Sequence, residues 1–523
     1  MATTNTLRAG VIAAAATSLI PNSTPQAVAQ AGQIETQPPN VLFIIVDDLR
    51  ADLGFLRSPS ISAGLDLDEN PASLTPNIDA LAARGTVFER AFCQVPVCGA
   101  SRCSMLTGLL PTKHPGENGG RFWGGHISLW TDGLTELTTL NSSFKQAGYT
   151  TIERGKVYHH PKDDWDGWDD RWRGPWRRVH TPRNHRILGE SGSASLAWEV
   201  GVDEHGRSLP DEMYSDGQTA ARAVQDLMGF ADSGEPFFLA VGFFKPHLPF
   251  NAPKNYWDRI DPAQIDLATN PFLPTNAPDM AFTDQPELNT YAEIPDERPV
   301  PDDLARSLIH GYLACTTFID TQVGKILQTL DATGLDDNTI VVFTSDHGFM
   351  LGEHSLWAKY YTLDAAAQVP LIIATPEHAP PTSQSPGMTI GRAEGLAALV
   401  DLYPTLIDLA GIPEPTTHTL AGVSLVPMLN DPSVSVRDAV YTRWQKSDSV
   451  RTETHRLIRY VSNDDREVGT LLFDLGADPA ENTGLEPASR AEIYRDLGAH
   501  LETTIRAARE HPVAEESGLR SGN

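Results

Sequence analysis

The sequence predicts an α/β fold, with a smaller antiparallel subdomain at the C-terminal end. Three observations carry that prediction. Continuous apolar runs with β-branched residues, such as residues 41–46 (VLFIIV), read as parallel strands buried on both faces. Helix-patterned stretches alternate with these runs, the longest over residues 302–330. From about Arg443 the pattern changes to short alternating strands, as in residues 455–461 and 470–475.

At 523 residues the chain suits one large domain plus a smaller one. The expected division is a leader over residues 1–31, a catalytic domain over 38–442 and a C-terminal subdomain over 443–523. The leader carries Arg8, an apolar run over 11–20, and Ala27-Val28-Ala29 with small residues at the cleavage spacing. It reads as an export signal, too short to span a bilayer, and places the protein in the periplasm or outside the cell. The plainer reading is a disordered cytoplasmic tail. A net charge of -28 argues against nucleic acid and against an anionic membrane surface as partners. No later stretch reads as a membrane span. Four cysteines do not make a disulfide framework, and Cys93, Cys103 and Cys315 read as buried thiols.

In chain order, the strand at 41–46 ends at Asp47-Asp48. Residues 75–84 (TPNIDALAAR) read as a helix with Thr75 as N-cap and Pro76 at its first position. Residues 101–109 read as another helix, whose N-terminus presents backbone N–H groups to an anion. The strand at 149–153 leads to Arg154-Gly155-Lys156, and the strand at 237–243 (FFLAVGF) leads to Phe244-Lys245-Pro246-His247. The strand at 339–343 leads to Thr344-Ser345-Asp346-His347, and residues 370–374 and 439–443 read as further strands. Charged clusters thus follow apolar strands, at the edge where open α/β sheets bind ligands.

Adjacent carboxylates at a strand end repel unless a cation or donors lie between them. Asp47, Asp48, Asp346 and His347 therefore read as ligands of a cation, and the oxygen-rich set favours Ca²⁺ or Mg²⁺ over a softer metal. Ordinary capping or turn-forming aspartates are the plainer reading of either pair alone.

Cys98-Gly99-Ala100-Ser101-Arg102, continuing to Leu106-Thr107-Gly108, resembles the sulfatase signature Cys-x-(Pro/Ala)-Ser-Arg. Asn40 to Arg50, Gly155-Lys156-Val157-Tyr158-His159, Lys245-Pro246-His247, Ser345-Asp346-His347-Gly348, Leu351-Gly352-Glu353-His354, Trp357-Ala358-Lys359 and the closing Phe473-Asp474-Leu475-Gly476-Ala477-Asp478-Pro479 follow in sulfatase order. The likeness spans residues 39–485 and is nearest to the iduronate-2-sulfatase branch. It implies an alkaline-phosphatase-like fold, a mixed central sheet flanked by helices.

The resemblance further implies that a formylglycine-generating maturation enzyme oxidises Cys98, and that the hydrated aldehyde is the nucleophile. One divalent ion, Ca²⁺ with Mg²⁺ as the alternative, would be held by Asp47, Asp48, Asp346, His347 and residue 98. Arg102 would orient the hydrate and Lys156 would steady it. Attack on sulfur would give a sulfate ester on residue 98, which a base, His159 with His160 as a spare, would help to eliminate. His247 and Lys359 would grip sulfate oxygens, with His247 the acid for the leaving alcohol.

Residues 165–186 run against the acidic balance, with Trp165, Trp168, Trp172 and Trp176 among six arginines. Aromatic faces stack on sugars and guanidinium forks suit carboxylate or sulfate, so Arg177 and Arg178 are candidate substrate contacts. The alternative is a loop whose tryptophans pack on the core while its arginines pair with neighbouring aspartates. The expected function is hydrolysis of a sulfate ester on a carbohydrate, at the 2-position of a uronic acid. The competing readings are a phosphonate or phosphate ester hydrolase of the same superfamily, choline-type small-ester hydrolysis, and a non-catalytic glycan-binding protein with unconverted Cys98.

Overall fold

The computed structural model describes residues 37–57, 64–65, 74–112, 134, 136–174, 196–279, 281–282, 287–376, 391–462 and 466–510. The expected leader and Arg177 and Arg178 lie outside the described residues. Nine strands form the main sheet: β1 (Asn40–Asp47), β2 (Thr86–Phe92), β3 (Thr150–Gly155), β4 (Asp170–Trp172), β5 (Phe237–Pro246), β6 (Thr339–Ser345), β7 (Gln368–Val369), β8 (Leu371–Ala374) and β9 (Gly391–Ala398). β6, β1, β5, β3 and β4 lie side by side and parallel. β8 turns antiparallel to β6 and to β2, and β9 pairs parallel with β2, so the sheet is mixed. No helix among the described residues is long and apolar enough to cross a membrane.

β1 is the central strand because its sequence can be buried on both sides. Leu42, Ile44 and Val46 enter one core and Val41, Phe43 and Ile45 the other, all 0% exposed. Burying such a side chain contributes about 1.5–3 kcal/mol, an upper estimate since unfolded chains are partly compact. The helices that cover the faces are α1 (Pro76–Ala82), α2 (Cys98–Thr107), α3 (Leu140–Gln146), α4 (Ser215–Ser233), α5 (Asp302–Ala332) and α6 (Leu402–Ala410). α1, α4 and α5 pack on the first face through residues such as Ile78, Leu227 and Phe318. α2, α3 and α6 pack on the second through Met105, Phe144 and Leu406.

Two elements differ from the sequence pattern in ways that matter for the site. The helix expected over 101–109 begins three residues earlier, which puts Cys98 in its first turn. It stops at Gly108, whose φ of 69° is the left-handed region glycine tolerates; an added Cβ would also lie 2.6 Å from Leu420. The strand expected over 237–243 continues to Pro246, so Lys245 belongs to the strand and is buried, donating to the carbonyls of His247 and Pro249 at 2.9 and 2.6 Å. None of the four cysteines is in a disulfide.

The C-terminal sheet is β10 (Ala439–Trp444), β11 (Ser447–Thr452), β12 (His455–Val461) and β13 (Glu467–Asp474), antiparallel throughout. On one side it packs on α7 (Ala491–Glu510) through Val450, Leu457 and Leu472 against Leu497, Leu501 and Ile505. On the other, Ile458, Tyr460 and Phe473 pack against Met350, Leu356, Tyr361 and Leu363. Arg456, fully buried in β12, bonds the Thr362 carbonyl, Asp364 and Glu481. The segment carrying Lys359 is therefore clamped between this sheet and the main domain.

β3 and β5 approach unusually closely where the chain leaves β3 for Lys156. A Cβ on Gly242 would lie 1.9 Å from the Lys156 carbonyl oxygen, and one on Gly155 would lie 2.0 Å from that of Gly242. The Lys156 N–H donates to the Gly242 carbonyl at 2.8 Å across the same gap. Gly242→Ala should therefore cost about 2 kcal/mol of stability by overpacking and displace Lys156. Gly229→Ala, with nothing within 4 Å of the added methyl, should be neutral or stabilising by about 0.5–1 kcal/mol. Thermal denaturation of the two variants measures the difference.

Candidate active site

Four adjacent parallel strands end along one edge: β6 in Ser345, β1 in Asp47, β5 in Pro246 and β3 in Gly155. Neighbouring strands are about 4.8 Å apart, so residues far apart in sequence meet just past these ends. Asp346 and His347 follow β6, Asp47 closes β1 with Asp48 next to it, His247 follows β5 and Lys156 follows β3. Asp48 has a φ of 62°, a left-handed turn that aspartate tolerates, and its N–H donates to Asp346 Oδ1 at 3.1 Å. The helix α2 points its first turn at this edge and delivers Cys98 and, one turn on, Arg102.

Asp47, Asp48 and Asp346 are 0% exposed, so their charge must be met by other protein groups or by a cation. Arg102 does most of this. Its Nε donates to Asp346 Oδ2 at 2.8 Å, its Nη2 to Asp47 Oδ1 at 3.0 Å, and its Nη1 to the carbonyls of Lys156 and Val157. Lys156 pairs with Asp47 Oδ2, and Lys359 donates to both oxygens of Asp48 at 3.0 Å. Burial alone would raise Asp47, but Lys156 and Arg102 hold its carboxyl well below the usual range. Asp48 moves the opposite way: burial pushes it well up despite Lys359, and Asp47, Glu287 and Asp346 add to the rise.

The donor set fits a hard divalent cation. Ligating atoms of Asp47, Cys98, Asp346 and His347 all lie within 4.8 Å of one another, and those of Asp47, Asp48, Cys98 and His247 form an overlapping group. His347 Nδ1–H donates to the Gly348 carbonyl at 2.8 Å, which leaves the Nε2 lone pair facing Cys98 Sγ at 3.4 Å and Asp48 Oδ1 at 3.3 Å. Burial lowers the His347 pKa, which keeps the ring neutral, as a ligand must be. Three carboxylates and one imidazole are the ligand chemistry of an oxygen-preferring ion.

Cys98 is 2% exposed, and all ten residues of α2 are buried. Lys359 Nζ lies 3.5 Å from its Sγ and Asp48 Oδ1 lies 3.8 Å from it. Burial and then Asp47 push the thiol well above its usual pKa, outweighing Lys156 and Lys359. As a thiol it stays protonated and is a poor nucleophile.

A cavity of about 620 Å³ opens beside Cys98, lined among others by Lys156, His159, Arg173, His247, Glu287 and Lys359. The sequence-predicted Cys98, Lys156, His159, His247 and Lys359 thus share one wall system, with Arg102 and the carboxylates behind it. Burial and then Lys156 bring His159 down to about 2, so its ring stays neutral. His160, the spare, has Nδ1 turned to the Lys162 N–H at 3.1 Å and is absent from the lining.

Glu287 is the residue that pattern reading misses. It lies 3.2 Å from His247 Nε2 and 3.2 Å from Lys359 Nζ, and accepts from Tyr360 Oη at 3.3 Å. His247 Nδ1 faces the Leu248 carbonyl at 2.6 Å, so both its ring nitrogens face acceptors. Burial and then Lys359 hold the His247 pKa well below its usual value, which opposes a lasting charge on the ring.

The described part of the Trp–Arg stretch is divided between the two readings of it. Trp168 packs on Phe238 and is 5% exposed, and Arg171 pairs with Glu153 rather than with the neighbouring aspartates. Trp165 is 67% exposed with Arg171 over its ring, and Arg173 faces the cavity.

A family model described as Sulfatase matches residues 39–412, and one described as N-sulphoglucosamine sulphohydrolase, C-terminal, matches residues 352–510. The chain is 33% identical to iduronate 2-sulfatase of Mus musculus over 413 residues, 73% of this chain and 71% of that one. It is 34% identical to the Homo sapiens iduronate 2-sulfatase over 406 residues, 72% and 70% of the two chains. Among solved structures, a phosphonate monoester hydrolase of Agrobacterium radiobacter matches with a TM-score of 0.67 at 21% identity, covering 92% of this chain and 99% of that one. At that identity the likeness is one of fold.

The fit of the donor set has a consequence for stability. A divalent cation at 100 times its dissociation constant should stabilise chelator-treated protein by about 2.7 kcal/mol. The rise in thermal midpoint should be lost in Asp346→Asn, measured by calorimetry with and without the ion.

Proposed function

The chain belongs to the sulfatase family and is a sulfuric ester hydrolase, and from that premise we propose that it removes a sulfate ester from a carbohydrate, at the 2-position of a uronic acid, using formylglycine at position 98 and one Ca²⁺. The observation that carries the reading is the meeting of Cys98, three buried carboxylates and His347 beside a cavity lined by Lys156, His159, His247 and Lys359. The two iduronate 2-sulfatases, alike over more than two thirds of each chain, support the choice of sugar.

Hydrolysis breaks the S–O bond to the sugar, hands a proton to the departing sugar oxygen and gives sulfate an oxygen from water. Asp47, Asp48, Asp346, His347 and residue 98 would hold the cation, which when bound would neutralise sulfate charge, and the hydrated aldehyde would supply the attacking oxygen. Arg102 fixes Asp47 and Asp346 and so the geometry of the centre. Lys156 and Lys359 place positive charge at the cavity wall beside residue 98 and hold the sulfate oxygens as charge grows on them. His247, with Glu287 beside its Nε2, would deliver a proton to the sugar oxygen, and His159 in the cavity wall would take a proton from the nucleophile side once the cation and substrate are in place.

Maturation has a structural condition. With α2 buried along its whole length, Cys98 cannot enter another enzyme's active site in the folded protein. A formylglycine-generating enzyme therefore acts on the chain before it folds, as it is exported.

Protein co-produced with that enzyme should show an aldehyde in place of the thiol in the residue 98 peptide, by mass spectrometry. It should release sulfate from a 2-sulfated uronate disaccharide, and Cys98→Ala should abolish release. Faster turnover of a phosphonate monoester than of any sulfate would overturn the reading, as would saccharide binding without sulfate release by fully converted protein. Restoration of chelated enzyme by Mg²⁺ at least as well as by Ca²⁺ would overturn the choice of ion. Glu287→Gln, which removes the carboxylate beside His247 Nε2 and Lys359 Nζ, should lower kcat about tenfold or more with a smaller change in KM, read by steady-state kinetics.

A further inference from the structure

The cations around the cavity are not equally engaged. Lys156 is paired with Asp47, Lys359 with Asp48 and Glu287, and Arg102 with Asp47 and Asp346. Arg173 forms no ion pair among the described residues. Its Nη1 donates to the carbonyls of Tyr158 at 3.3 Å and His159 at 2.9 Å, and its guanidinium lies 5.1 Å from the centre of the Phe244 ring. These contacts hold the plane in place and leave Nε and Nη2 without a partner among the described residues. Glu153, the acid acting most strongly on it, has its Oε2 bound to Arg171 Nε.

Burial without a matching anion brings the Arg173 pKa down to about 10, whereas Arg102, buried more deeply but paired with two carboxylates, is pushed up. A rigid guanidinium in a cavity wall with free donors is matched by a planar anion. The groups beside Cys98 Sγ are Lys359, His347 and Asp48, and among the described residues Arg173 contacts none of them, so its donors are not engaged with the groups that flank the nucleophile.

We propose that Arg173 binds a second anionic group of the substrate, a carboxylate or a further sulfate on the saccharide that carries the scissile ester, and so makes the enzyme select polyanionic over neutral sugar sulfates. The inference rests on the reading of the site as a carbohydrate sulfatase.

The test compares kcat/KM for a 2-sulfated uronate disaccharide, the same compound with its carboxyl reduced to an alcohol, a disaccharide bearing one extra sulfate, and a small aryl sulfate. Wild type should favour the carboxylate or the extra sulfate about 10- to 100-fold through KM, the range of a charge-assisted hydrogen bond. Whichever substrate shows the preference identifies the group that is read. Arg173→Ala should collapse the ratio of saccharide to aryl sulfate by that factor, and Arg173→Lys, which keeps the charge without the fork, should collapse it in part. Equal losses on saccharide and aryl sulfate in both variants would reduce Arg173 to a prop for the His159 backbone and overturn the inference. So would a wild type indifferent to both anionic groups. Failure of wild type to release sulfate from any compound would overturn the parent reading together with this one, which an active but unselective wild type would not.

Discussion

Three carboxylates buried at the tips of two neighbouring strands are the constraint from which the site follows. Ionised groups removed from water are costly unless paired and hydrogen-bonded, and Asp47, Asp48 and Asp346 lie too close together to relieve one another. The protein answers with Arg102, whose fork reaches Asp47 and Asp346 at once, and with one lysine for each of Asp47 and Asp48. Those cations come from three separate places in the chain. The centre can therefore form only when α2, the turn after β3 and the segment after β6 are all in place. Burial pushes Asp48 up despite Lys359, with Asp47, Glu287 and Asp346 adding to the rise, and a divalent ion among these carboxylates would oppose that repulsion.

This dependence explains what the C-terminal sheet does for a site it never enters. Lys359 lies on a segment with little regular structure, between two-residue strands and short turns. Such a segment would not hold an ammonium in register with Asp48 unaided. Its apolar residues Leu356, Tyr361 and Leu363 are covered by β12 and β13, and Arg456 binds the Thr362 carbonyl from beneath. The family model for the C-terminal region begins at residue 352, inside this segment, so the boundary falls where the packing unit begins rather than where the sheet begins.

The sheet edge is legible in the sequence because its signal is simple. A strand buried on both faces shows as an unbroken apolar run, and a charged cluster right after it has few places to go except the sheet's C-terminal edge. Asp47, Asp48, His247, Asp346 and His347 are all found this way, and the resemblance adds Arg102, Lys156, His159 and Lys359. Glu287 is not legible: it sits in a long irregular stretch with Glu293 and Glu297 nearby, and nothing local separates it from them. Its contacts with His247 and Lys359 come from the packing of that stretch over the site. Arg173 fails differently. The stretch that holds it stands out, but composition favours the Arg177-Arg178 doublet. What sets Arg173 apart from Arg171 is that Arg171 pairs directly with Glu153, while Arg173 forms no ion pair among the described residues, a fact of space and not of order.

A centre whose cations are already matched to its own carboxylates is a general anion-ester site, and sulfates and phosphonates have much the same shape and charge there. The fold does not choose between them, since a phosphonate monoester hydrolase shares it at 21% identity. Nor can the long-range field recruit a polyanion, since the chain's net charge of -28 repels one until salt screens it beyond about 10 Å. Discrimination must then come from short-range groups whose charge the protein has not itself consumed. Around this cavity, among the described residues, Arg173 meets that condition, while Lys156 and Lys359 do not. On the proposed reading, chemistry and selection would be carried by different residues, and the wall of the cavity could change its preference without disturbing the charge balance at the strand tips.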